Sequence, residues 1–228
     1  MMTRLTLLFV LFGWLAPPSR ATAASLEQVL AAMDKSSASF RDMSAKLTKA
    51  DHTAVINDTT QETGSVRMKR SGARDVRLRI EYTEPDPRTV VFEKTTARMY
   101  YPKMQTVQVY DLGRHRSLVD QFLLLGFGTS GAELSKSYSL KAAGEEPIAG
   151  EPATRLELVP KTSAVQEYLK RAELWITAAG YPVQQKFYRP SGDYTLITYR
   201  DVQLNTNPPE QAFRLSLPRG VKTEYPQK

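Results

Sequence analysis

The chain has 228 residues, with 31 lysines and arginines against 24 aspartates and glutamates, and a formal net charge of +7. It contains no cysteine, which excludes disulfide bridges, thiolate metal sites, thiol nucleophiles and a lipid anchor on a cysteine. The modest positive charge fits contact with an anionic membrane surface or an acidic partner, and it fits solubility alone equally well.

The N-terminal residues 1–23 are predicted to be a secretory signal peptide. Arg4 supplies a positive charge, Leu5–Leu15 forms an apolar run, and Ala21–Ala23 offers small residues for cleavage. A membrane anchor is the alternative, but the run is shorter than the ~20 apolar residues that a transmembrane helix needs. We therefore expect residues 24–228 to form a single domain that is exported and is soluble.

The first element of the exported chain is predicted to be an amphipathic helix. Ser25, followed three residues later by Gln28, is typical of the capping box that begins a helix. Apolar residues then recur at mostly three-to-four spacing, with polar residues between them: Leu26, Val29, Leu30, Met33 and Phe40. A helix with one apolar stripe is stable when that stripe packs on another element.

Most of the remaining chain consists of short segments in which apolar and polar residues alternate, which predicts β-strands. The clearest pair is a hairpin in which 65–69 and 76–81 flank a turn at Ser71–Gly72. Their spacing favours an antiparallel sheet over alternating strands and helices. Further strands are predicted at 89–92, 98–101, 106–110, 138–142, 153–159, 172–176, 183–188 and 194–202.

The most apolar stretch outside the signal peptide is Leu118–Phe127, which is predicted to be a helix that exits into Gly126–Gly128. Its part Phe122–Phe127 is predicted to be a mobile apolar cover. A short helix is predicted around Ala132–Leu134, and a helical turn at Thr162–Tyr168. The segment Gly126–Gly131 matches the pattern GxGxxG. Dinucleotide binding requires this pattern between a strand and a helix of a parallel βαβ unit, so a hinge beside the apolar helix is favoured.

The sequence contains no recognisable pattern of catalytic or metal-binding residues. Its two histidines, His52 and His115, lie outside any HExxH spacing, and no serine lies in a GxSxG segment. We therefore expect neither enzymatic activity nor a cofactor or metal. Two alternatives stay open: a hydrolase, which would need a clustered pair of buried carboxylates, and a structural envelope protein with a filled core.

The predicted strands carry bulky, flexible apolar residues that share one face. Together with the apolar cover they are predicted to enclose a cavity, although an ordinary close-packed core would use the same residues. The residues expected to line the cavity are Met68, Leu78, Ile80, Phe92, Met99, Tyr101, Phe122 and Leu124.

The opposite face of the first hairpin is basic. It is interpreted either as a solvated outer face or as a docking surface for acidic lipids or a partner. Its cations are Arg67, Lys69, Arg77 and Arg79.

Five segments resemble, in the same order, motifs of the LolA-type outer-membrane lipoprotein carrier proteins. Gly64–Arg70 is similar to the family's Gly-x-apolar-x-apolar-Lys-Arg segment, and Arg79–Pro85 to its strand that ends in an acid or amide before a proline. Val90–Phe92 and Met99–Pro102 are similar to its apolar strand and its aromatic-Tyr-x-Pro element. Phe213–Val221 is similar to its closing segment.

This resemblance implies an α+β, mainly β fold: a strongly curved, unclosed antiparallel β-barrel, or half-barrel, with helices covering its concave apolar face. It implies a carrier that shelters the acyl chains of lipoproteins in the cavity and moves them from an inner-membrane release complex to an outer-membrane acceptor. We expect a monomer with transient membrane-surface contact, and no nucleic-acid partner. A periplasmic carrier or sensor of another lipid or glycolipid is the alternative.

The resemblance also implies a latch. In this family the arginine of the Lys-Arg pair hydrogen-bonds the lid backbone and holds the empty cavity closed, and Arg70 is the matching residue. A guanidinium suits this role because it presents several donors in a fixed fork. The alternative is that Arg70 is one more basic hairpin residue. Two departures from the family pattern, Ser71 in place of a proline and 93–96 in place of an Asp-Gly turn, leave the cargo undefined.

Overall fold

A computed structural model describes residues 24–72, 75–93, 95–113 and 125–227. The predicted signal peptide lies outside the described residues. So do His115, most of the helix predicted at Leu118–Phe127, and the two predicted cover residues Phe122 and Leu124.

The described residues form three α-helices and twelve strands. Every strand predicted from alternation is present, and two further strands, β1 and β12, are not foreseen by the pattern. The helices are α1 (Leu26–Ser39), α2 (Gly131–Ser137) and α3 (Ser163–Gln166). The strands are β1 (Asp42–Thr53), β2 (Asp58–Gly72), β3 (Asp75–Glu84), β4 (Arg88–Glu93), β5 (Thr96–Tyr101), β6 (Thr106–Asp111), β7 (Tyr138–Ile148), β8 (Glu151–Pro160), β9 (Arg171–Thr177), β10 (Pro182–Tyr188), β11 (Tyr194–Leu204) and β12 (Lys222–Glu224).

All twelve strands belong to one sheet, in the order β12-β6-β5-β4-β3-β2-β1-β11-β10-β9-β8-β7. Neighbouring strands are antiparallel, except that β12 runs parallel to β6. In the part of the chain that the structure describes, β12 and β7 are the two edges, so the curved sheet does not close into a barrel. The expected fold class, a mainly β, unclosed antiparallel half-barrel, is confirmed.

Helix α1 begins at the predicted capping box. The Ser25 hydroxyl accepts a hydrogen bond from the Gln28 backbone N–H at 3.3 Å, and the Gln28 side-chain oxygen accepts one from the Ser25 backbone N–H at 2.8 Å. Val29 and Met33 are buried in one cluster with residues of β8 and β9, such as Leu174. The helix therefore covers part of the concave face, as its single apolar stripe predicts.

Strand β1 occupies the centre of the sheet, between β2 and β11, although its sequence is largely polar. Met43, Ala45 and Leu47 are buried on one face. On the other face, Lys46 forms a 2.8 Å ion pair with Asp201 of β11. β1 is thus held by backbone pairing on both sides and by one short apolar stripe.

The strand directions bring one set of turns to the same end of the half-barrel. We call this end the hairpin rim. Its turns are 54–57 between β1 and β2, 85–87 between β3 and β4, 102–105 between β5 and β6, 161–170 between β8 and β9, and 189–193 between β10 and β11.

Candidate functional site

The concave side of the sheet encloses a cavity of about 330 Å³. Three of the residues predicted to line it do so: Met68, Leu78 and Ile80. The remaining apolar part of the wall comes from the central strands, from the loop 125–128 and from the segment before β9: Met43, Leu47, Val66, Tyr82, Phe127, Tyr168, Leu169, Phe187, Ile197 and Tyr199. Apolar side chains thus form most of this wall.

The other predicted lining residues lie beside the cavity. Phe92 and Met99 are half-buried and pack against the core cluster that forms the cavity wall. Tyr101 is half-buried near the end of β5, where burial, together with the nearby Tyr110, raises the pKa of its phenol. Among the described residues, the cavity wall does not include these three.

Several wall residues escaped the sequence prediction. Met43 and Leu47 belong to β1, where apolar residues recur at every second position. The many polar residues of this strand obscure that pattern in the sequence. Ile197 and Tyr199 alternate in the same way on β11. Gln185 also contributes to the wall, and a glutamine at the centre of a strand carries no sequence signal for such a position.

The loop 125–128 closes one side of the cavity. Leu125 and Phe127 are each 1% exposed, and the Phe127 ring meets the Tyr199 ring edge to face, with 5.1 Å between centroids. Gly126 and Gly128 have φ angles of 86° and 69°, which glycine adopts without steric cost. The loop therefore bends sharply on both sides of Phe127 and directs this ring onto the wall.

A buried hydrogen-bond chain holds the first residue of this loop. The Gln185 side-chain N–H₂ donates to the Leu125 carbonyl, and the Tyr199 hydroxyl donates to the Gln185 side-chain oxygen at 2.8 Å. Gln185 is only 3% exposed, so these partners satisfy polar groups that would otherwise be buried without hydrogen bonds. Burial raises the pKa of the Tyr199 phenol, with a smaller contribution from Tyr82, which keeps the hydroxyl protonated and able to donate.

Arg70 holds the last residue of the loop. Its Nη2 donates a hydrogen bond to the Gly128 carbonyl, and its Cζ lies 5.5 Å from the centroid of the Phe40 ring. A Cβ atom on residue 128 would lie 2.5 Å from both Arg70 Nη2 and Phe40 Cδ1. Glycine at 128 is therefore needed for this close approach as well as for the bend.

A cluster of charged residues surrounds Lys49, a wall residue at the end of the cavity nearest the hairpin rim. The Lys49 ammonium lies 2.5 Å from Asp51 and 3.3 Å from Glu62. Arg88 donates to both oxygens of Glu62, at 2.5 and 2.9 Å, and its Cζ lies 4.0 Å from the Tyr82 ring centroid. The Arg88 hydrogen bonds hold the pKa of the Glu62 carboxyl below its usual value.

The cavity opens toward the hairpin rim. Two wall residues at this end, Tyr168 and Arg189, are exposed to solvent. Arg189 Nη2 donates to the Thr195 hydroxyl at 3.1 Å, and that hydroxyl donates to Asp51 at 2.6 Å. The mouth is therefore polar, while the interior is apolar.

The basic outer face of the first hairpin is engaged by acids and carbonyls of the same chain. Lys69 and Arg77 both pair with Glu210, at 2.9 Å for Lys69. Arg67 pairs with Glu81 at 3.2 Å, and Arg79 donates to the Arg214 carbonyl at 2.6 Å. The segment around 210–214 thus lies on this face, which explains the row of cations without an external partner.

Within the described ranges, no group of three or more His, Asp or Glu side chains is arranged to hold a metal ion. His52 stacks on Tyr194, with 4.7 Å between ring centroids. In the same part of the chain, no helix has the length and apolar character needed to cross a bilayer.

The family model described as outer membrane lipoprotein carrier protein LolA matches residues 38–216. The chain belongs to the LolA family. The match begins just before β1 and ends after the segment that covers the basic outer face, so it includes every residue named above in the cavity, the loop and the mouth. No curated protein sequence matches this LolA family chain.

Two solved structures share the fold, and a third is less similar. An uncharacterized conserved protein from Thermus thermophilus is 13% identical, with 87% of this chain and 98% of that chain covered and a TM-score of 0.54. MucB is 15% identical, with 84% of this chain covered and a TM-score of 0.53; this chain spans 62% of the length of MucB. The lipoprotein LppX of Mycobacterium tuberculosis is 14% identical, with 80% and 97% covered and a TM-score of 0.48.

Proposed function

We propose that this LolA family chain is a periplasmic carrier that shelters the acyl chains of lipoproteins and moves them from the inner to the outer membrane. The observation that carries the proposal is the apolar cavity of about 330 Å³, closed by a loop that two side chains hold in place. The family description, an outer membrane lipoprotein carrier protein, agrees with it. No covalent step is required of the protein.

Burial of an acyl chain supplies the binding energy. Each buried CH₂ group contributes roughly 0.8 kcal/mol. The cavity wall follows β1 from Met43 to Lys49, and six strand residues extend roughly 20 Å, so the path is long enough for an extended chain. The apolar interior receives the chain, and the charged mouth faces the polar part of the cargo.

Release requires that something replace the ligand on the apolar wall. Phe127 supports this step because its ring lies on the same wall and is 1% exposed when the loop is closed. The loop is therefore an internal competitor for the acyl chain. A carrier of this kind takes its cargo from an inner-membrane release complex and gives it to an outer-membrane acceptor. The ligand-bound state and the state with the loop closed must therefore be similar in free energy.

The size of the closed cavity favours a ligand with a single acyl chain, which supports a second candidate, a carrier or sensor of another lipid or glycolipid. About 330 Å³ lies near the lower end of the range for ligand sites, ~300–1,000 Å³. The closed form therefore suits one acyl chain, whereas cargo with several chains needs the loop to move.

Native mass spectrometry of the protein purified from a periplasmic extract tests the proposal. An added mass that matches an acylated peptide or lipoprotein supports a lipoprotein carrier. A phospholipid or glycolipid mass supports the second candidate. An unliganded mass, with no uptake of an added diacylated peptide, contradicts both and would favour a filled apolar core.

A further inference from the structure

The turn between β1 and β2 presents two apolar side chains to solvent. Val55 is 89% exposed and Ile56 is 69% exposed. Turns normally use glycine, proline, asparagine, aspartate or serine, which favour the bend or satisfy its backbone. Two consecutive β-branched apolar residues serve neither purpose, so the fold itself does not explain them.

The tip is held away from the core. The Ala54 backbone N–H donates to the Asp193 carboxylate at 2.8 Å, which ties the tip to the neighbouring turn 189–193. β1 is paired on both sides as far as His52, with Tyr194 on one side and Thr59 on the other. The tip therefore projects from a firm base at the hairpin rim.

Aromatic rings and a cation lie directly behind the tip. His52 stacks on Tyr194, and the Tyr188 ring lies 5.9 Å from Tyr194. Lys186 Nζ lies 3.9 Å from the Tyr194 ring centroid and 4.8 Å from that of Tyr188. Tyrosine rings favour the level of the lipid headgroups, and lysine extends its ammonium toward water while its stem stays in apolar surroundings.

The order of these groups matches the depth profile of a membrane interface. Val55 follows His52 by three positions and lies in the turn 54–57, so the two residues are at most roughly 10 Å apart, the length of three extended residues. Interfacial segments bury their apolar side ~5–10 Å into the boundary between headgroups and acyl chains. An apolar tip with an aromatic belt and a lysine behind it suits a lipid surface better than a protein groove.

The same rim carries the mouth of the cavity. Tyr168 and Arg189, its exposed wall residues, lie in the turns 161–170 and 189–193. We propose that the Val55–Ile56 tip inserts into the interface of a lipid bilayer and brings the mouth of the cavity to the membrane surface. This inference rests on the proposed carrier function, because it gives the route by which a lipid ligand enters or leaves.

The charges near the tip define the kind of membrane contact. Asp58 and Asp193 flank it, while Lys186 and Arg189 lie behind it on β10 and in the turn 189–193, so charges of both signs offset each other and the apolar side chains are the main attraction to lipid. We expect binding to vesicles of phosphatidylcholine and phosphatidylethanolamine, with little dependence on ionic strength, because burial of apolar side chains is not screened by salt.

The absence of cysteine in this sequence allows a site-specific test. The Ile56→Cys variant, purified from a periplasmic extract, is labelled with an environment-sensitive fluorophore. Adding these vesicles should shift the emission of the label to shorter wavelength, and a lipid-attached quencher should quench it. The control is Ala178→Cys, which places the same label on an exposed alanine in the turn between β9 and β10, at the end of the half-barrel opposite the hairpin rim; its emission should not change. A label at residue 56 that stays in water overturns the proposal.

A second variant separates this proposal from the carrier function. Replacing both Val55 and Ile56 with serine should weaken vesicle binding about tenfold or more, given the apolar area removed. Uptake of a fluorescent fatty acid in solution should be unchanged, since neither residue contributes to the cavity wall. Membrane insertion would be contradicted if this variant bound vesicles like the wild type. It would also be contradicted if a protein partner, and not vesicles, shielded the label at residue 56 from water. Either result would leave the carrier function intact. Failure of the wild type to take up fatty acid would contradict the carrier function instead.

Discussion

The Arg70 guanidinium on β2 donates a hydrogen bond to the Gly128 carbonyl, 58 positions further along the chain. A second hydrogen bond, from Gln185 to the Leu125 carbonyl, holds the other end of the same loop. Phe127 lies between these two anchors, with its ring against Tyr199. The two anchors therefore set how readily the loop leaves the apolar wall that a ligand would occupy.

Arg70→Leu should trap ligand on the protein. The substitution removes a half-buried, charge-assisted hydrogen bond worth about 1.5 kcal/mol, which in the proposed latch holds only the closed loop. Dissociation of a fluorescent fatty acid should therefore slow about tenfold, as measured by stopped-flow displacement. Arg70→Lys should show a smaller effect because an ammonium keeps one donor. Dissociation of the fatty acid at the wild-type rate in Arg70→Leu would contradict the proposed role of Arg70 as a latch.

Gly128→Ala should reproduce the effect of Arg70→Leu while leaving the arginine in place. The added Cβ would lie 2.5 Å from Arg70 Nη2 and from Phe40 Cδ1, so the closed loop can no longer form the bond. Gly150→Ala is the matched control: Gly150 also has a positive φ, of 91°, but a Cβ there meets nothing within 4 Å. Slow ligand release is expected in the first variant alone; equal behaviour of the two would indicate general backbone strain.

The sequence identifies the strands well because burial of one face of a sheet imposes a period of two. The same period predicts three wall residues of the cavity, because they share one face of the hairpin between β2 and β3: Met68, Leu78 and Ile80. The register of this hairpin pairs Met68 with Leu78. β1 is hidden because its polar residues are satisfied across strands, as Lys46 is by Asp201.

The anchors of the loop could not be predicted in the same way. Gln185 and Leu125 are 60 positions apart, and nothing in the local sequence of either residue indicates the other. Arg70 was assigned through the family resemblance, whereas its own surroundings show only a basic hairpin. Contacts of this kind depend on how the sheet curves and on where the loop crosses it, which local periodicity does not encode.

Ile197→Trp should block ligand uptake by filling the cavity. Ile197 lies on the wall, and an indole there would occupy volume that the acyl chain needs. Leu196→Trp is the matched control, because adjacent strand residues point to opposite faces of a sheet. We expect titration with a fluorescent fatty acid to show at least about tenfold weaker binding for Ile197→Trp, since several CH₂ groups lose their site, and near-normal binding for Leu196→Trp. Equal loss in both variants would argue against ligand binding on the concave face.

Tyr199→Phe should destabilise the protein and loosen the loop. It removes the donor to the Gln185 side-chain oxygen, and an unsatisfied buried acceptor costs about 1–3 kcal/mol. Urea unfolding should show this loss, and hydrogen exchange at the amide of Phe127 should become faster. Tyr168→Phe, at an exposed tyrosine, should change the free energy of unfolding by less than about 0.5 kcal/mol. If both variants unfold like the wild type, the hydrogen bonds that connect Tyr199 to Leu125 through Gln185 do not anchor the loop.

Glu62→Gln should reduce the acid sensitivity of the fold. Hydrogen bonds from Arg88 hold the pKa of the Glu62 carboxyl below its usual value of 4.5. Such a carboxyl stabilises the fold when the pH is above its pKa in the unfolded state. This contribution is lost as the pH falls through its lower pKa in the folded state. At pH 7 the variant should therefore be about 1–2 kcal/mol less stable, and its difference from the wild type should shrink as the pH falls from about 5 toward 3.

Urea unfolding at several pH values measures this difference in stability. The control is Glu84→Gln, at an exposed carboxylate. A difference that stays constant with pH would mean that Glu62 acts through packing and not through its charge.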